Sequence, residues 1–304
     1  MALKNPAASD LARLYNIAKG SGITYNQLLL LYCQEEFLRR LSLSAYANKL
    51  VLKGGLLIYM VSNYTSRATQ DIDFLLHDYS NEVSRLQYML EQIVQTPSDN
   101  PHISFTIKKL TPIALAQNYH GMQAKLVAHI AQSETSFSID FGVGDVIVPP
   151  ATYRTFRTTF PEARQPRILT YSLESVIAEK YDAIIQRMEN TSRMKDFCDI
   201  YYLSKEFSFD GKILQDAIRQ TLRYRKTVHD MPAFIHFKGL GQIRKVQKNW
   251  ENYIRNMDTP DLPTSLEAVM QQIISFVEPP IMSLLSEEEY CMKWVPNREW
   301  VEPM

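Results

Sequence analysis

The N-terminal part of the chain carries apolar residues at helical spacing. Between residues 10 and 44 they recur three or four positions apart, as at Leu30, Cys33, Phe37 and Leu41. This period matches one face of an α-helix and differs from the two-residue alternation of a strand. The pattern therefore predicts a helical N-terminal segment.

Short apolar runs separated by turns follow this segment. Residues 50–52 form a strand-like run that ends at a glycine pair, and residues 56–60 predict a short helix. A second strand is predicted at residues 71–76 and a second helix at residues 83–94. The predicted order is strand, glycine turn, helix, strand and helix.

Alternation of apolar and polar residues then returns in three runs that end at proline or glycine. These runs lie at residues 102–110, 122–130 and 137–141. Because strand side chains alternate between two faces, each run predicts a strand with one apolar face.

After Pro149 and Pro150 the pattern changes to long helical segments that begin near Ser172. We expect an α+β fold with a domain boundary near residue 150. Residues 1–150 would hold the N-terminal helices and a mixed sheet with flanking helices, and residues 151–304 a mainly helical domain.

Composition narrows the class of protein. Of the 304 residues 45% are hydrophobic, and 33 basic side chains balance 33 acidic ones. The chain can bury a core, and any binding of nucleic acid must come from local patches.

Cys33, Cys198 and Cys291 show no metal or redox spacing, and no run approaches the roughly 18 apolar residues that span a bilayer. We expect a cytoplasmic protein without membrane attachment.

Asp71 and Asp73 are the first candidates for chemistry. Two positions apart on a predicted strand, they would project from the same face while Ile72 and Phe74 enter the core. Neighbouring carboxylates repel unless a cation lies between them, and magnesium is the usual cation where such a pair holds a triphosphate. The alternative is a pair of solvated aspartates at a strand end.

Asp140 is a third candidate ligand for the same cation. It lies on the small and polar face of its predicted strand, so it could complete a carboxylate triad with Asp71 and Asp73. Its alternative role is an acid beside the turn at Gly142 and Gly144.

The glycine pair and a later lysine add phosphate-binding candidates. Gly54 and Gly55 lie between a strand and a helix, where bare backbone lets N–H groups approach a phosphate. Lys180 falls on the apolar stripe of a helix predicted at residues 173–189, so its ammonium must either reach solvent or find an anion.

A second helix start carries two cations. With Ser192 as the expected cap, Arg193 and Lys195 fall in the first turn, which suits a site that receives phosphate. Asp196 could orient Lys195 or Lys180, or accept a proton or a metal. The alternative is an ordinary ion pair between Lys195 and Asp199 on a solvated face.

Four separated motifs together resemble the AbiEii/AbiGii toxin family of nucleotidyltransferases. The resemblance covers about residues 50–230 and includes two weaker matches at residues 209–211 and 221–227. The four motifs are Lys53-Gly54-Gly55, residues 67–74 around Asp71 and Asp73, Glu179-Lys180, and residues 192–200 around Lys195 and Asp196.

The resemblance implies a polymerase-β-like nucleotidyltransferase core with a helical C-terminal region that completes the active site. It further implies a nucleoside triphosphate substrate, Mg²⁺ and a cognate antitoxin. By position, phosphate would be held by Lys53, Gly54, Gly55, Lys180, Arg193 and Lys195. Metal would be held by Asp71, Asp73 and Asp140. The catalytic residues would be Asp71, Asp73, Lys180, Lys195 and Asp196.

RNA, such as the 3′ end of a tRNA, is the acceptor that we expect. Basic residues are interleaved with aromatic ones in two stretches and could follow a phosphate backbone, although solvated helix faces would look the same. The stretches comprise Arg219, Arg223, Tyr224, Arg225 and Lys226, and then Lys238, Arg244, Lys245, Lys248 and Trp250.

Other functions stay open or are excluded. The same groups could transfer a nucleotide to a protein or a small molecule, and a non-catalytic nucleotide-binding interaction protein is the alternative from a different class. Gly20-Ser21-Gly22 lacks the third glycine of a dinucleotide fingerprint. No Walker loop, zinc-ligand spacing or Gly-x-Ser-x-Gly elbow is present.

Overall fold

The computed structural model describes residues 5–114, 120–257, 262–296 and 299–303. The described residues divide into two compact units. Unit 1 comprises those of Met1–Gly144 and Thr152–Thr170, and unit 2 those of Asp145–Ala151 and Tyr171–Met304. The chain thus leaves unit 1 after Gly144 and returns to it at Thr152. The predicted boundary near residue 150 falls in the short segment of unit 2 between these points.

Unit 1 combines helices with one mixed sheet. In chain order its elements are α1 (Pro6–Ser21), α2 (Tyr25–Leu43), β1 (Leu50–Lys53), α3 (Gly54–Val61), β2 (Asp71–Leu76), α4 (Val83–Gln95), β3 (Ile103–Ala114), β4 (His120–Ile130), β5 (Ser133–Gly142), β6 (Thr152–Thr155) and β7 (Arg167–Thr170).

The sheet of unit 1 has the strand order β3-β4-β5-β2-β1-β7-β6. The pairs β2/β5 and β1/β7 are parallel, and the other neighbouring pairs are antiparallel. β3 and β4 shift register between Ile107 and Lys109, which leaves Lys108 as an extra residue on β3. β3 is one edge of the sheet.

Local capping explains where the first two helices begin. The Asn5 side chain accepts a hydrogen bond from the backbone N–H of Ala8, and Pro6 occupies the first turn of α1. Thr24 and Gln27 form a reciprocal capping box at the start of α2. These bonds satisfy backbone donors that a helix start otherwise leaves open.

Helix α2 covers one face of the sheet through an aromatic core. The Phe37 ring lies 6.2–6.4 Å from the rings of Phe74, Phe105 and Phe137, which come from β2, β3 and β5. Phe37 and Phe74 are fully buried. The residues that alternate with these aromatics project from the other face of the sheet, where the candidate site lies.

Unit 2 is mainly helical. In chain order its elements are α5 (Leu173–Ile185), α6 (Met194–Glu206), β8 (Phe209–Asp210), α7 (Gly211–Arg225), α8 (Met231–Lys238), α9 (Arg244–Arg255), α10 (Leu266–Leu285), β9 (Lys293–Val295) and β10 (Glu299–Val301), together with short 3₁₀ turns at Met188–Asn190 and Gly239–Gln242. The last three strands form a small sheet in the order β10-β9-β8.

Helix α10 is long and apolar enough to cross a membrane by length and composition, with a mean hydropathy of 1.3 over 18 residues. The expectation that no segment approaches such a span was therefore too strict. Its apolar face is nevertheless packed inside unit 2, because Val269, Ile273, Phe276 and Val277 are fully buried. Core helices of soluble proteins commonly have this composition.

The α+β class predicted from the sequence is confirmed, including the mixed sheet with flanking helices and the helical C-terminal region. The structure differs in three places. β6 and β7 lie in a stretch predicted to lead directly into helices. The helix predicted to end at Glu189 ends at Ile185. The C-terminal tail, for which no conformation was predicted, contributes β9 and β10.

Candidate active site

Three aspartates project from one face of the unit 1 sheet. On the parallel pair β2/β5, Asp73 lies opposite Asp140 and Asp71 lies opposite Ser138. Residues in register on neighbouring strands share a face, so Asp71, Asp73 and Asp140 project together. All three are partly exposed, whereas Ile72 between the first two is fully buried. We refer to this surface as the carboxylate face.

A polar row crosses four strands at the level of Asp73. Lys53 on β1 lies opposite Asp73, Asp73 opposite Asp140, and Asp140 opposite Gln123 on β4. The Gln123 amide donates a 2.8 Å hydrogen bond to Oδ1 of Asp140. The Lys53 ammonium reaches Gly142, where an added Cβ would lie 3.5 Å from Nζ. A cation therefore borders the carboxylates on one side and an amide donor on the other.

Gln123 is not among the residues that the sequence pattern predicts for the site. The pattern that could have pointed to Gln123 is the alternation of β4, in which Gln123 and Lys125 lie on the polar face between buried residues. The alternation gives the face, but the neighbour of Gln123 depends on the register between β4 and β5, which no local pattern reveals.

The glycine pair is packed against the candidate site. Gly54 has φ +66°, and a Cβ at this position would lie 2.7 Å from Cγ of Asp73. At Gly55 a Cβ would lie 3.1 Å from Oγ1 of Thr69 and 3.2 Å from Nη2 of Arg67. Gly54 is thus needed both for its left-handed backbone and for the close approach of the Asp73 carboxylate.

The second group of predicted residues lies in unit 2. Lys180 on α5 is buried, and its Nζ lies 3.3 Å from Oδ1 of Asp196 and 2.5 Å from Oδ2 of Asp199. Nε of Arg193 donates to Oδ2 of Asp196 at 2.7 Å. Of the two outcomes expected for Lys180, the structure shows the second, because its ammonium finds anions inside the protein. We refer to these four residues as the buried ion cluster.

The structure contradicts both the alternative ion pair and the cap that the sequence analysis gave for the start of α6. Asp199 does not pair with Lys195 on a solvated face, because Asp199 is 1% exposed and contacts Lys180. The helix is capped by Arg193 instead of Ser192, with no side-chain bond at the cap. Lys195 is exposed in the first turn. Asp196 contacts Lys180, one of the two lysines that the sequence analysis considered as its partner.

A further ion cluster in unit 2 surrounds Arg225. Its guanidinium lies 2.9 Å from Oδ1 of Asp145, 3.0 Å from Oδ2 of Asp182 and 3.4 Å from Oε1 of Glu179. Asp182 also accepts a hydrogen bond from Thr227. These contacts hold α5 and α7 to the segment Asp145–Ala151.

The predicted RNA-binding stretches are smaller than the sequence indicated. Arg225 serves the cluster just described, and Trp250 is fully buried, with its indole N–H donating to the carbonyl of Pro263. Two more members are paired within the protein, since Arg219 contacts Asp216 and Lys238 contacts Glu278. The members that remain exposed without a described ion pair are Arg223, Tyr224, Lys226, Arg244, Lys245 and Lys248, of which Lys245 donates a hydrogen bond to Oδ1 of Asn190.

The carboxylate face offers oxygen ligands of the kind that magnesium prefers. Within the described ranges no group of three or more His, Cys, Asp and Glu side chains is arranged to hold a metal. Asp71, Asp73 and Asp140 therefore share a face without closing a three-carboxylate cage. Magnesium is usually bound by one or two carboxylates together with substrate phosphates. Adjacent, partly exposed carboxylates such as those of Asp73 and Asp140 fit that coordination.

A cleft of about 690 Å³ lies away from these groups, between the start of α4 and the edge strand β3. It contains none of the predicted site residues. Its lining comprises Glu82, Val83, Ser84, Gln87, Ile107, Lys108, Lys109 and Leu110.

Comparison with known proteins identifies the family. A family model described as the nucleotidyl transferase AbiEii toxin of a type IV toxin–antitoxin system matches residues 36–272, which include all the predicted site residues. Among solved structures, a candidate nucleotidyltransferase from H. pylori is similar at 11% identity and a TM-score of 0.48, over 86% of this chain and 98% of that one. JHP933 from Helicobacter pylori is similar at 10% identity and a TM-score of 0.48, over 86% of this chain and 92% of that one. No curated protein matches the chain. From the extent of the family match, the chain belongs to the AbiEii family of nucleotidyltransferase toxins.

Proposed function

We propose that the chain transfers a nucleotidyl group from a nucleoside triphosphate to RNA, and that the reaction takes place on the carboxylate face. The observation that carries the proposal is the row in which Asp73 and Asp140 lie side by side between Lys53 and Gln123. Adjacent carboxylates favour a bound cation, and a neighbouring ammonium favours phosphate. Together they match the two charges of a magnesium–triphosphate complex.

The proposed reaction forms one bond and breaks one. The acceptor hydroxyl oxygen bonds to the α-phosphorus, the bond from that phosphorus to the bridging oxygen breaks, and pyrophosphate leaves. The hydroxyl proton passes to a carboxylate of the carboxylate face. Magnesium bound there would supply charge stabilisation for the triphosphate. Asp71, Asp73 and Asp140 are the residues that would hold it.

The residues around the metal ligands have separate proposed tasks. Lys53 would compensate phosphate charge, and the backbone N–H groups of Gly54 and Gly55 would donate to phosphate oxygens at the start of α3. Of the unit 2 residues, Lys195 is exposed, and the family resemblance assigns it to phosphate together with Arg193. Lys180 is buried and ion-paired, so its proposed role is to fix the position of Asp196.

RNA is the acceptor that we favour because exposed polar side chains continue the carboxylate face across β3, β4 and β5. Ser136, Lys125 and Lys109 on these strands are exposed. A long acceptor can therefore reach the carboxylates along the sheet. The tRNA 3′ end is the RNA that we would test first.

The family description adds a biological setting to this proposal. Because it names a type IV toxin–antitoxin system, we propose that the transfer arrests growth in the cytoplasm and that a cognate antitoxin counteracts it. Co-expression with the product of a neighbouring gene should restore growth if that product is the antitoxin.

The direct test uses purified protein, labelled triphosphates, magnesium and total RNA. We expect label on RNA with the unsubstituted chain and none with Asp73→Asn, because the neutral amide lacks the negative charge with which the carboxylate attracts a divalent cation. Asp99→Asn, at an exposed position of the same unit, is the matched control and should retain full activity. Without metal, the Asp73→Asn variant should melt no lower than the control, since it relieves repulsion between carboxylates.

The outcomes separate the competing functions. Label on protein or on a small molecule instead of RNA would replace the acceptor in the proposal. Absence of any transfer, with no thermal shift on adding nucleotide and magnesium, would favour a non-catalytic interaction protein. Mass spectrometry of RNA from cells expressing the chain, compared with Asp73→Asn, would identify the modified position.

A further inference from the structure

The strands next to the carboxylate face carry a second polar row. On the sheet, Asp71 lies opposite Ser138, Ser138 opposite Lys125, and Lys125 opposite Lys109. Residues that are in register share a face, so both lysines project on the same side of the sheet as Asp71. A hydrogen bond between Thr106 and His129, at 2.9 Å, joins β3 and β4 on this face as well.

The row gives approximate distances along the face. Neighbouring strands are about 4.8 Å apart, so the backbone of Lys125 lies about 10 Å from that of Asp71, and the backbone of Lys109 about 14 Å from it. A nucleic acid whose terminal hydroxyl lies at the carboxylates would pass over both lysines within its first few nucleotides.

The arrangement of the two lysines is unfavourable without an anion. Lys109 and Lys125 are directly opposite each other on an antiparallel pair, where like charges destabilise the sheet. Both are exposed, and neither forms an ion pair with the residues that the structure describes. Just as adjacent carboxylates favour a cation, adjacent ammonium groups favour a phosphate. We refer to Lys109 and Lys125 as the lysine pair.

We propose that the lysine pair binds the phosphodiester backbone of the acceptor RNA and holds its 3′ end at the carboxylate face. The inference rests on the proposed function, because it assigns the acceptor path of the same site. The shared chemistry is phosphate recognition, and the triphosphate substrate could offer phosphate too. Since the pair is two and three strands away from Asp71 along the row, we assign it to the acceptor.

The test compares three purified chains. The first is unsubstituted, the second carries Lys109→Gln and Lys125→Gln, and the third carries Lys19→Gln and Lys49→Gln. The third is matched in charge and substitutes lysines of unit 1 that lie outside β3, β4 and β5. Binding of a fluorescent single-stranded RNA is measured by anisotropy over a range of salt concentrations, without triphosphate. Transfer kinetics are then measured with RNA and triphosphate varied separately.

We expect the lysine-pair variant to bind RNA about tenfold more weakly and to lose about 1.4 from the slope of log affinity against log salt, as two fewer phosphate contacts require. The KM for RNA should rise, while the KM for triphosphate and the kcat at saturating RNA stay unchanged. A variant with Lys109→Arg and Lys125→Arg should restore binding. At low salt and without RNA, the glutamine variant should melt at a higher temperature than the unsubstituted chain.

Equal RNA binding by the lysine-pair variant and the charge-matched control would overturn the inference. A rise in the KM for triphosphate instead of RNA would also overturn it, because the pair would then serve the nucleotide. If the unsubstituted chain transfers label only to protein, the proposed function fails. The anisotropy measurement still decides whether the lysine pair binds RNA, and absence of RNA binding by the unsubstituted chain counts against it.

Discussion

Gly54 connects the backbone of unit 1 to the chemistry of the carboxylate face. Its left-handed φ of +66° starts helix α3, and its missing side chain leaves room for the Asp73 carboxylate. The sequence indicated a glycine turn and a phosphate contact. The contact with Asp73 depends on the pairing of β1 with β2, in which Lys53 lies opposite Asp73.

The substitution Gly54→Ala should have two separate effects, one on the stability of the fold and one on the geometry of the carboxylate face. We expect it to lower the free energy of unfolding by about 1–2 kcal/mol, the cost of a left-handed backbone for a residue with a Cβ. It should also abolish transfer, because the new methyl group displaces the Asp73 carboxylate. Urea denaturation and the label-transfer assay measure the two effects.

Gly22→Ala is the control for that substitution. Gly22 has φ +73°, and a Cβ there would have nothing within 4 Å. It should lose similar stability and keep its activity. Full transfer by Gly54→Ala would show that the Asp73 position tolerates displacement.

Single residues could be assigned to the site where the pattern was local. Asp71 and Asp73 share a face because they are two apart on a strand, and Asp140 was found from the phase of its strand. Gln123 and Asp199 were not selected, because their partners Asp140 and Lys180 are 17 and 19 residues away in sequence. Such pairings depend on strand register and helix packing, which the sequence does not display.

At the scale of elements, the buried ion cluster joins α5 to α6. Lys180 contributes the positive charge from α5, and Asp196 and Asp199 lie on successive turns of α6. All three are buried, so removing the lysine would leave two carboxylates without their ammonium partner in a poorly hydrated interior. Lys195, which directly precedes Asp196 in sequence, is exposed to solvent.

The substitutions Lys180→Met and Lys195→Met should therefore affect different properties, the first the stability of the fold and the second the rate of transfer. Lys180→Met should lower the free energy of unfolding by about 3–5 kcal/mol, the usual cost of breaking a buried ion pair. Lys195→Met should change it by no more than about 0.5 kcal/mol, as at other surface positions. Because we assign Lys195 to phosphate, its loss should slow transfer about 100-fold.

Thermal denaturation and label transfer at the same temperature distinguish these roles. A stable Lys180→Met variant with normal transfer would contradict the role given to the buried ion cluster. Normal transfer by Lys195→Met would remove Lys195 from the site.

Long elements were predictable and short ones were not. The N-terminal helices and β2 to β5 carry clear periodic patterns over their length, whereas β1, with four residues, was predicted from its apolar run and the glycine pair that follows it. β6, β7, β9 and β10 have three or four residues each, too few for a period to be read, and their pairing is decided by distant strands. Ser192 was favoured as a cap on composition, whereas the helix has Arg193 at its cap, and the Arg193 side chain donates to Asp196.

At the scale of the whole molecule, buried charge sets a pH dependence of stability. Glu35 of α2 is fully buried and accepts hydrogen bonds from the backbone N–H and the hydroxyl of Thr159 and from the hydroxyl of Tyr64. Burial raises the pKa of Glu35 to about 7, although these hydrogen bonds and the nearby Arg39 lower it in part. Its ordinary value is 4.5.

The sign of the effect follows from this raised pKa. The folded chain holds a proton on Glu35 that the unfolded chain releases above about pH 4.5, so the neutral form stabilises the fold at low pH. That contribution is lost as the pH rises through about 7. Because the pKa of Glu35 is 4.5 in the unfolded chain and about 7 in the folded chain, the loss of stability is on the order of 3 kcal/mol.

Glu35→Gln removes this titration and should flatten the profile. Between pH 4.5 and 8, the free energy of unfolding of the variant relative to the unsubstituted chain should rise by on the order of 3 kcal/mol. Urea denaturation at both pH values, with the unsubstituted chain alongside, provides the measurement. If the free energy of unfolding of the two chains changed in parallel with pH, the pKa of Glu35 would not be raised by folding.

The return of the chain to unit 1 at Thr152 has a consequence for how this sheet can be made. β7 lies against β1 in parallel, with Thr170 opposite Leu52, and β6 then covers β7. While only the first 150 residues have left the ribosome, β1 is an open edge of the sheet. Its residues Leu50, Val51 and Leu52 are buried in the finished protein. An open edge strand can form hydrogen bonds with strands of other chains until β6 and β7 have been added to the sheet. Truncated forms ending near residue 150 should therefore aggregate instead of accumulating as a free catalytic half.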